Sequence, residues 1–146
     1  MKKRKMTIIL LAFVLLTIGF LFYREHVESA TETPTSNFEY EILENGTIKI
    51  NDFTGTEKDV VIPEKINGKE VTIIGGNAFK DKEFSRIVFP NSIKNIEDKA
   101  FNESTIEKAY FNKTLEEYLE INFKSNWGTA CKYDIYIKKI MNLLKL

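Results

Sequence analysis

The chain is poor in the residues that catalysis and covalent cross-linking most often use. It contains one cysteine and one histidine among 146 residues. The lone Cys131 excludes an intrachain disulfide, and it is expected to be a small buried apolar residue rather than a link between two chains. The single histidine, His26, stands beside the apolar N-terminal run and leaves the body of the chain without a base for that thiol. With no cluster of zinc ligands either, we expect no enzyme, no metal site and no cofactor.

Net charge is also missing, since 21 basic and 21 acidic residues cancel. The balance hides an asymmetry. Residues 1–23 hold four basic residues, at positions 2–5, and no acidic ones, so the remainder carries 17 basic and 21 acidic residues. A mildly acidic body lacks the basic surface that is typical of nucleic-acid-binding proteins, so no nucleic acid is expected as a partner.

The longest apolar run is Met6–Tyr23, which has no charged residue. As a helix it would span about 27 Å, close to the hydrocarbon thickness of a bilayer. The basic residues before it predict that the N-terminus stays inside and the body lies outside, with the run as a single-pass membrane anchor. The alternative is a signal peptide cleaved near Val27-Glu28-Ser29 and a secreted body, although the run is longer than the apolar region of most signal peptides.

Composition divides the chain into four parts. Residues 1–28 hold the basic cluster and the anchor or signal segment. Residues 29–37 are small, polar and proline-bearing, which predicts a flexible linker. Residues 38–137 are expected to form the folded domain. Residues 138–146 are apolar with interspersed lysines, and they are interpreted as a piece of one more, truncated repeat or as a helix on a membrane surface.

A period of 22 residues runs through the folded part. It relates Ile74 to Ile96, Ala78 to Ala100, Phe79 to Phe101, Phe89 to Phe111 and Ile93 to Leu115. Such a period predicts a solenoid in which each unit buries its apolar face against the next. Five extra residues between Ile66 and Ile74, with the turn signal Asn67-Gly68, are expected to form a loop. The predicted repeat core consists of Ile62, Ile66, Ile74, Ala78, Phe79, Phe89, Ile93, Ile96, Ala100, Phe101, Phe111 and Leu115.

The ends of the repeat region show other patterns. Phe38–Leu43 and Thr47–Ile50 alternate apolar and polar residues around Asn45-Gly46, which predicts a hairpin that caps the first rung. Thr114–Phe123 begins with a capping box and continues with Leu115, Tyr118, Leu119 and Phe123 at helical spacing, which predicts a short helix packed on the last rung. Its glutamates are expected to be solvated. Ile135–Ile137 is expected to be a strand.

The BspA-type leucine-rich repeats of bacterial surface proteins resemble this chain in several runs: DVVIP at 59–63, INGKEVTIIG at 66–75, NAF at 77–79, RIVFP at 86–90, LEEYLEINF at 115–123 and DIYI at 134–137. The resemblance implies a β-rich, right-handed leucine-rich-repeat solenoid of about three rungs, with an N-terminal hairpin cap and one short α-helix. It implies no shared catalytic residues.

The resemblance also implies a function, namely recognition or adhesion at the cell surface through a protein or glycan ligand. Two alternatives remain open. The chain could be a structural or regulatory accessory protein that pairs with a membrane partner of its own cell, or a truncated fragment of a longer surface adhesin.

Overall fold

The computed structural model of the protein describes residues 31–124 and 131–137, without the side chains of residues 131–134. The expectations for the run Met6–Tyr23, for His26, for the tail 138–146 and for the Cys131 side chain therefore lie outside what is described. Within the two described ranges, no helix has the length and apolar character that crossing a bilayer requires.

Two sheets and one short helix make up this part of the chain. Sheet 1 contains β1 (Phe38–Ile42), β2 (Ile48–Phe53), β5 (Lys69–Ile74), β7 (Asn95–Ile96) and β9 (Asn122–Phe123), in that order, with β4 (Lys65–Ile66) paired to β5. Sheet 2 has the order β10 (Cys131–Ile137), β8 (Thr105–Phe111), β6 (Glu83–Phe89) and β3 (Asp59–Val61). Helix α1 spans Leu115–Leu119, and a 3-10 turn covers Thr35–Asn37.

The chain alternates between the two sheets and so winds into a coil. Rung 1 consists of β3 and β5, rung 2 of β6 and β7, and rung 3 of β8 and β9, while β10 continues sheet 2 beyond rung 3. Equivalent strands of successive rungs pair in parallel. The 22-residue period predicted a solenoid, and the short β-solenoid of about three rungs with one short helix is confirmed.

Strand register explains the period. Between β6 and β8, Ile87 lies opposite Ala109 and Phe89 lies opposite Phe111, each pair 22 residues apart. In sheet 1, Ile74 lies opposite Ile96 in the same way. Because parallel strands lie side by side in register, apolar residues at one position of the repeat form a continuous row across the rungs.

Stacked phenylalanines fill the space between the sheets. The rings of Phe79 and Phe101 are parallel, with centroids 5.0 Å apart, and those of Phe89 and Phe111 are 4.4 Å apart. Phe53 extends the first stack at 5.5 Å from Phe79. Eleven of the twelve residues that the sequence assigned to the repeat core are buried, and the twelfth, Leu115, is only half-buried because it begins helix α1 at the edge of the core.

The core also contains residues that the sequence analysis did not select: Phe38, Ile48, Ile50, Phe53, Val60, Val71, Phe84, Ile87, Ile106, Ala109 and Ile121. Two pairs among them follow the same period. Phe84 lies opposite Ile106, and Ile87 lies opposite Ala109. The 22-residue spacing could therefore have found these four residues.

The first rung is capped as the sequence predicted. β1 and β2 form an antiparallel hairpin, and β2 then pairs in parallel with β5. Gly46 takes the turn at φ +80°, a left-handed conformation that glycine adopts without steric cost. Next to it, the side-chain oxygen of Asn45 accepts a hydrogen bond from the Thr47 amide at 3.0 Å. The hairpin thus covers the sheet 1 edge of rung 1.

The segment interpreted as a flexible linker is partly attached to the solenoid. Thr33 is buried, its amide donates to the Val61 carbonyl at 3.1 Å, and its hydroxyl accepts from the Val61 amide at 2.9 Å. These two bonds satisfy the Val61 backbone groups on the free edge of β3, which would otherwise be unpaired. The attachment therefore begins before residue 38, the predicted boundary of the domain.

Helix α1 is shorter than predicted. Its capping box is present, since Thr114 and Glu117 each accept the other's backbone amide. The helix ends at Leu119, which is 71% exposed instead of packed on the rung. Phe123 belongs to β9, where it lies opposite Ile96. The register of sheet 1 requires an extended backbone at Phe123, and this requirement overrides the helical spacing from Leu115.

The turns that follow the sheet 1 strands repeat one strained conformation. Asn77 and Lys99 occupy the same position of rungs 1 and 2, with φ of 62° and 59°. The Asn77 amide donates to the Lys99 carbonyl at 3.1 Å, and the Phe79 amide donates to the Ala100 carbonyl at 2.8 Å. Asparagine adopts this left-handed region far more readily than lysine does.

Replacing Phe101 by alanine tests the stacked core. The change removes a ring packed between Phe79 and Phe89, which is expected to cost about 3–5 kcal/mol. The total stability of a domain of this size is about 5–15 kcal/mol. We therefore expect urea or thermal unfolding to show a large loss or a failure to fold. Leu119→Ala, at an exposed apolar position, serves as the control. A loss as small as that of the control would contradict the buried stack.

The repeated left-handed turn gives a second prediction. Lys99→Asn places at rung 2 the residue that rung 1 already has, and it should raise the stability by up to about 1 kcal/mol. Asn77→Lys is the reciprocal variant and should lower the stability by a similar amount. Thermal unfolding of both variants checks the prediction, and shifts of the same sign would contradict it.

Candidate functional site

The first candidate for a functional site is a cluster of metal-ligating side chains. Within 31–124 and 131–137, no group of three or more His, Cys, Asp or Glu residues is placed to hold a metal ion. Of the helix glutamates, Glu117 accepts the Thr114 amide at 2.7 Å and is therefore part of the helix cap. The side chains that remain for a functional role lie on the outer surfaces of the solenoid.

The Gly75-Gly76 pair, which follows β5, has a structural role. The Gly75 amide donates to the Ile50 carbonyl at 2.8 Å, and a Cβ atom at this position would lie 2.7 Å from that oxygen. The Gly76 amide donates to the Glu97 carboxylate at 3.0 Å, and the Lys49 amine lies 3.1 Å from the same carboxylate oxygen. Both amides are thus used within the protein.

The outer face of sheet 2 carries two rows of side chains. One row is charged, because Asp59, Arg86 and Lys108 lie opposite one another on β3, β6 and β8. The other row is apolar and aromatic, with Val61, Val88, Tyr110 and Tyr136 in register. The Tyr110 and Tyr136 rings stack 4.6 Å apart. Val88 and Tyr110 are only 5% and 7% exposed, so the middle of the apolar row is shielded from solvent.

A second surface arises where the rungs differ in length. Val61, Val88 and Tyr110 share one row of sheet 2, and Ile74, Ile96 and Phe123 share one row of sheet 1. The chain takes thirteen residues to pass between these rows in rungs 1 and 3 but eight in rung 2. The extra five residues therefore enter rungs 1 and 3 at the same point and emerge on the same side of the solenoid.

The two insertions have different structures. In rung 1 the extra residues form the hairpin of β4 and β5, with Asn67 at φ 50° and Gly68 at φ 77°, which confirms the predicted turn. In rung 3 they form helix α1. Between them, residues 90–94 of rung 2 make a short turn. We call this surface the saddle and define it as residues 64–70, 90–94 and 112–120.

Side-chain hydrogen bonds tie the three parts of the saddle together. The Ser92 hydroxyl donates to the Val71 carbonyl at 2.7 Å and joins rung 2 to rung 1. The Lys113 amine donates to the Asn91 carbonyl and joins rung 3 to rung 2. Each bond crosses one rung boundary, so the hairpin, the turn and the helix are held at fixed positions relative to one another.

Lys113 lies at the centre of this surface. Its residue is only 8% exposed, and burial lowers the pKa of its amine below the ordinary lysine value. The carboxylates of Glu117, Glu120 and Glu64 oppose this shift, and the amine of Lys94 adds to it. These charged groups come from all three rungs, so residues that are far apart in sequence converge around one amine.

Family comparison agrees with this architecture. Residues 46–138 match the family model described as the BspA type leucine rich repeat region, in six copies. The match covers more than half of the chain. The chain belongs to the BspA-type leucine-rich repeat family. Among curated proteins no match was found.

Solved structures of leucine-rich repeat proteins are also similar to this one. A protein from Bacteroides capillosus is 18% identical, with a TM-score of 0.51 over 75% of this chain and 99% of its own. A leucine rich repeat protein from T. pallidum is 24% identical, with a TM-score of 0.45 over 55% of this chain. A leucine rich cell surface protein from Faecalibacterium prausnitzii is 19% identical, with a TM-score of 0.49 over 57% of this chain.

The coverage of these relatives differs. The matched region spans 43% of the T. pallidum protein and 24% of the F. prausnitzii protein, but nearly all of the B. capillosus protein. At this level of identity the likeness to the B. capillosus protein, with its TM-score of 0.51, concerns the fold. It supports the leucine-rich repeat architecture seen here.

Sequence analysis predicted only one part of these two outer surfaces, namely the insertion in rung 1 that forms one side of the saddle. The five-residue insertion in rung 1 was visible from the shift in period and from Asn67-Gly68. The matching insertion in rung 3 was not recognised, because Leu115 was counted as a continuation of the repeat and the helix was extended to Phe123. The charged row of sheet 2 was also missed, although Arg86 and Lys108 are 22 residues apart.

The burial of Lys113 leads to a prediction about pH. Because the pKa of Lys113 is lower in the folded than in the unfolded leucine-rich repeat domain, its contribution to stability is present above the ordinary lysine pKa and is lost as the pH falls through the folded value. Relative to Lys113→Met, the natural protein should therefore become more stable as the pH is raised from 7 towards 10.

Urea unfolding at a series of pH values measures this difference. Lys108→Met, which removes an exposed lysine of rung 3 on the outer face of sheet 2, controls for the loss of one positive charge from the domain. A stability difference between Lys113→Met and the natural protein that stays constant over this range would contradict the prediction.

Proposed function

We propose that the protein is a non-enzymatic recognition module of the cell surface, which binds a protein or glycan ligand through a face of the solenoid. Membership of the BspA-type leucine-rich repeat family supports this proposal. So does the distribution of chemistry in the described residues, where the functional groups are spread along outer surfaces rather than gathered in a site for one small substrate.

The observation that carries the proposal is the separation of inner and outer rows. Val60, Ile87 and Ala109 form a fully buried apolar row of sheet 2. The neighbouring positions Asp59, Arg86 and Lys108 point to the other face and form a charged row across the same three strands. One face thus holds the rungs together, while the other offers a ladder of side chains at the spacing of the strands, about 4.8 Å. A macromolecular ligand can contact several rungs of such a ladder at once.

The proposed location follows from the N-terminal sequence. The basic residues at positions 2–5 and the apolar run Met6–Tyr23 would keep the N-terminus inside and carry the repeat domain outside, with the run as an anchor or as a cleaved signal. In the proposal the ligand therefore belongs to the extracellular space or to the outer surface of a membrane.

A structural or regulatory partnership in the same membrane is the second candidate, and the docking of Thr33 favours it. Thr33 is attached to β3, so only residues 24–32 separate the apolar run from rung 1. Fully extended, nine residues span at most about 32 Å. If the run is an uncleaved anchor, the repeats stay close to their own membrane, where a partner in that membrane is within reach.

Photo-crosslinking on intact cells tests the proposed function and separates the two candidates. A photoreactive residue replaces Lys108, which is exposed on the charged row, in the full chain. Crosslinks to proteins or glycans of other cells or of the matrix would support surface recognition, and crosslinks to a membrane protein of the same cell would support the partnership. The same probe in the Phe101→Ala background controls for contacts of misfolded protein. Absence of any specific crosslink, from this position and from the saddle alike, would overturn the proposal.

A further inference from the structure

Sheet 2 extends one rung further than sheet 1 within the described residues. Each of rungs 1 to 3 contributes one strand to each sheet, and β9 of rung 3 is the last strand of sheet 1 in this part of the chain. Sheet 2 continues with β10, whose Ile135 and Ile137 lie opposite Ala109 and Phe111 of rung 3. The strand β10 thus begins a fourth rung, and the residues that follow it in the sequence are 138–146.

One core position of the fourth rung is exposed. Ile135 is 44% exposed, whereas Ile87 and Ala109, which occupy the same row on β6 and β8, are fully buried. In rung 2, Ile93 and Ile96 follow β6 along the chain and belong with Ile87 to one cluster of buried residues. To bury Ile135 in the same way, rung 4 needs an equivalent pair of apolar side chains.

Residues 138–146 contain such a pair at the spacing of rung 2. The core residues of rung 2 stand at positions 87, 89, 93 and 96, and all four are fully buried. Strand register aligns position 87 with position 135 through β8. The same spacing then falls on positions 135, 137, 141 and 144, which are all apolar: Ile135, Ile137, Met141 and Leu144.

The exposed positions agree as well. Between its core positions, rung 2 exposes Asn91 and Lys94 to solvent. The alignment places Lys139 and Asn142 there, and both are polar. Apolar residues at the core positions and polar residues at the exposed ones are what a rung that stacks on its neighbour requires.

Three positions of the alignment differ from rung 2. Lys138 stands where rung 2 has the buried Pro90, but rung 3 has a polar residue at this place too, Asn112. The other two positions are half-buried and polar in rung 2 but apolar in rung 4, namely Ser92 and Asn95 against Ile140 and Leu143. None of the three lies at a position of the core cluster.

We propose that residues 138–146 dock on the end of the solenoid formed by β9 and β10 and complete a fourth rung. Met141 and Leu144 cover Ile135, and residues 143–144 form a short parallel strand beside β9. Leu144 then continues the row of sheet 1 that contains Ile96 and Phe123. The inference concerns how the solenoid ends and does not depend on the proposed function.

Geometry and connectivity favour this occupant over a second copy of the chain. Seven residue steps separate Ile137 from Leu144, as they separate Phe89 from Ile96 in rung 2. Seven steps span up to about 23 Å, whereas packed sheets lie about 10 Å apart, so the segment can reach sheet 1. Because it is joined to β10 by the chain, its effective concentration at this end is far higher than that of another molecule.

Neighbouring leucines provide a matched pair of variants for a test on the full chain in a mild detergent. Successive side chains of a strand point to opposite faces, so the proposal places Leu144 inside and Leu143 outside. Leu144→Asp and Met141→Asp should each lower the midpoint of thermal unfolding by about 5 °C or more. Leu143→Asp should leave the midpoint within about 3 °C of the natural protein.

A helix on a membrane surface or an unpacked segment gives a different result. Leu143 and Leu144 would then be equivalent, so their variants should have equal effects on the unfolding midpoint or none. Either outcome would contradict the proposed strand.

Disulfide trapping locates the segment independently of stability. In the proposed register Leu143 lies beside Asn122, which is exposed on β9, and their Cα atoms are about 4.8 Å apart, within the range that a disulfide spans. With Cys131 replaced by serine, Asn122→Cys combined with Leu143→Cys should form an intrachain disulfide under mild oxidation. Asn122→Cys combined with Asn142→Cys is one position out of register and serves as the control.

Peptide mapping by mass spectrometry decides between the outcomes. An intrachain disulfide in the first pair and not in the control would support the fourth rung. An interchain disulfide would show that the segment docks on a second copy. That result, equal trapping of both pairs, or no trapping of either would overturn the inference.

Discussion

The whole solenoid depends on the fact that no rung can bury its own apolar face. A rung contributes one short strand to each sheet and a phenylalanine or two between them, and these side chains leave water only when the next rung covers them. The parallel rings of Phe79 and Phe101 and of Phe89 and Phe111 are the clearest expression of this dependence. The backbone follows the same rule, since the turn amides at Asn77 and Phe79 donate to carbonyls one rung away. Stability is therefore shared between neighbours, and a change in one rung is transmitted to the next.

The same dependence explains why the first rung is covered on both sheets. Sheet 1 is extended by the β1–β2 hairpin, whose Phe38 and Phe53 continue the phenylalanine stack. Sheet 2 is covered by Thr33, which pairs with Val61. At the other limit of the described residues, Ile135 occupies the row of Val60, Ile87 and Ala109 but is 44% exposed, whereas those three are fully buried.

Sequence reasoning succeeded where one physical requirement acted alone. The 22-residue period reflects strand register, and so it predicted the stacked rungs and half of the residues of the core. Asn45-Gly46 and Asn67-Gly68 predicted turns because their conformations are set locally.

Sequence reasoning failed where two physical requirements competed. Leu115, Leu119 and Phe123 have helical spacing. In the structure, Phe123 belongs to β9 of sheet 1, and Leu119 is exposed to solvent. Lys99 takes a left-handed conformation that its side chain disfavours, because the turn is repeated from rung to rung.

The saddle was out of reach of sequence reasoning for a related reason. Glu64, Lys94, Lys113 and Glu120 are spread over three rungs, and their proximity follows only from the stacking of those rungs. Insertions at this point of the rung leave the core rows unchanged, because the chain leaves sheet 2 and returns to sheet 1 at the same register positions in rungs of either length. Length and sequence can therefore vary here at little cost to the stacked phenylalanines, whereas the positions that stack must stay apolar. A surface of this kind can acquire specificity for a partner independently of the fold that supports it.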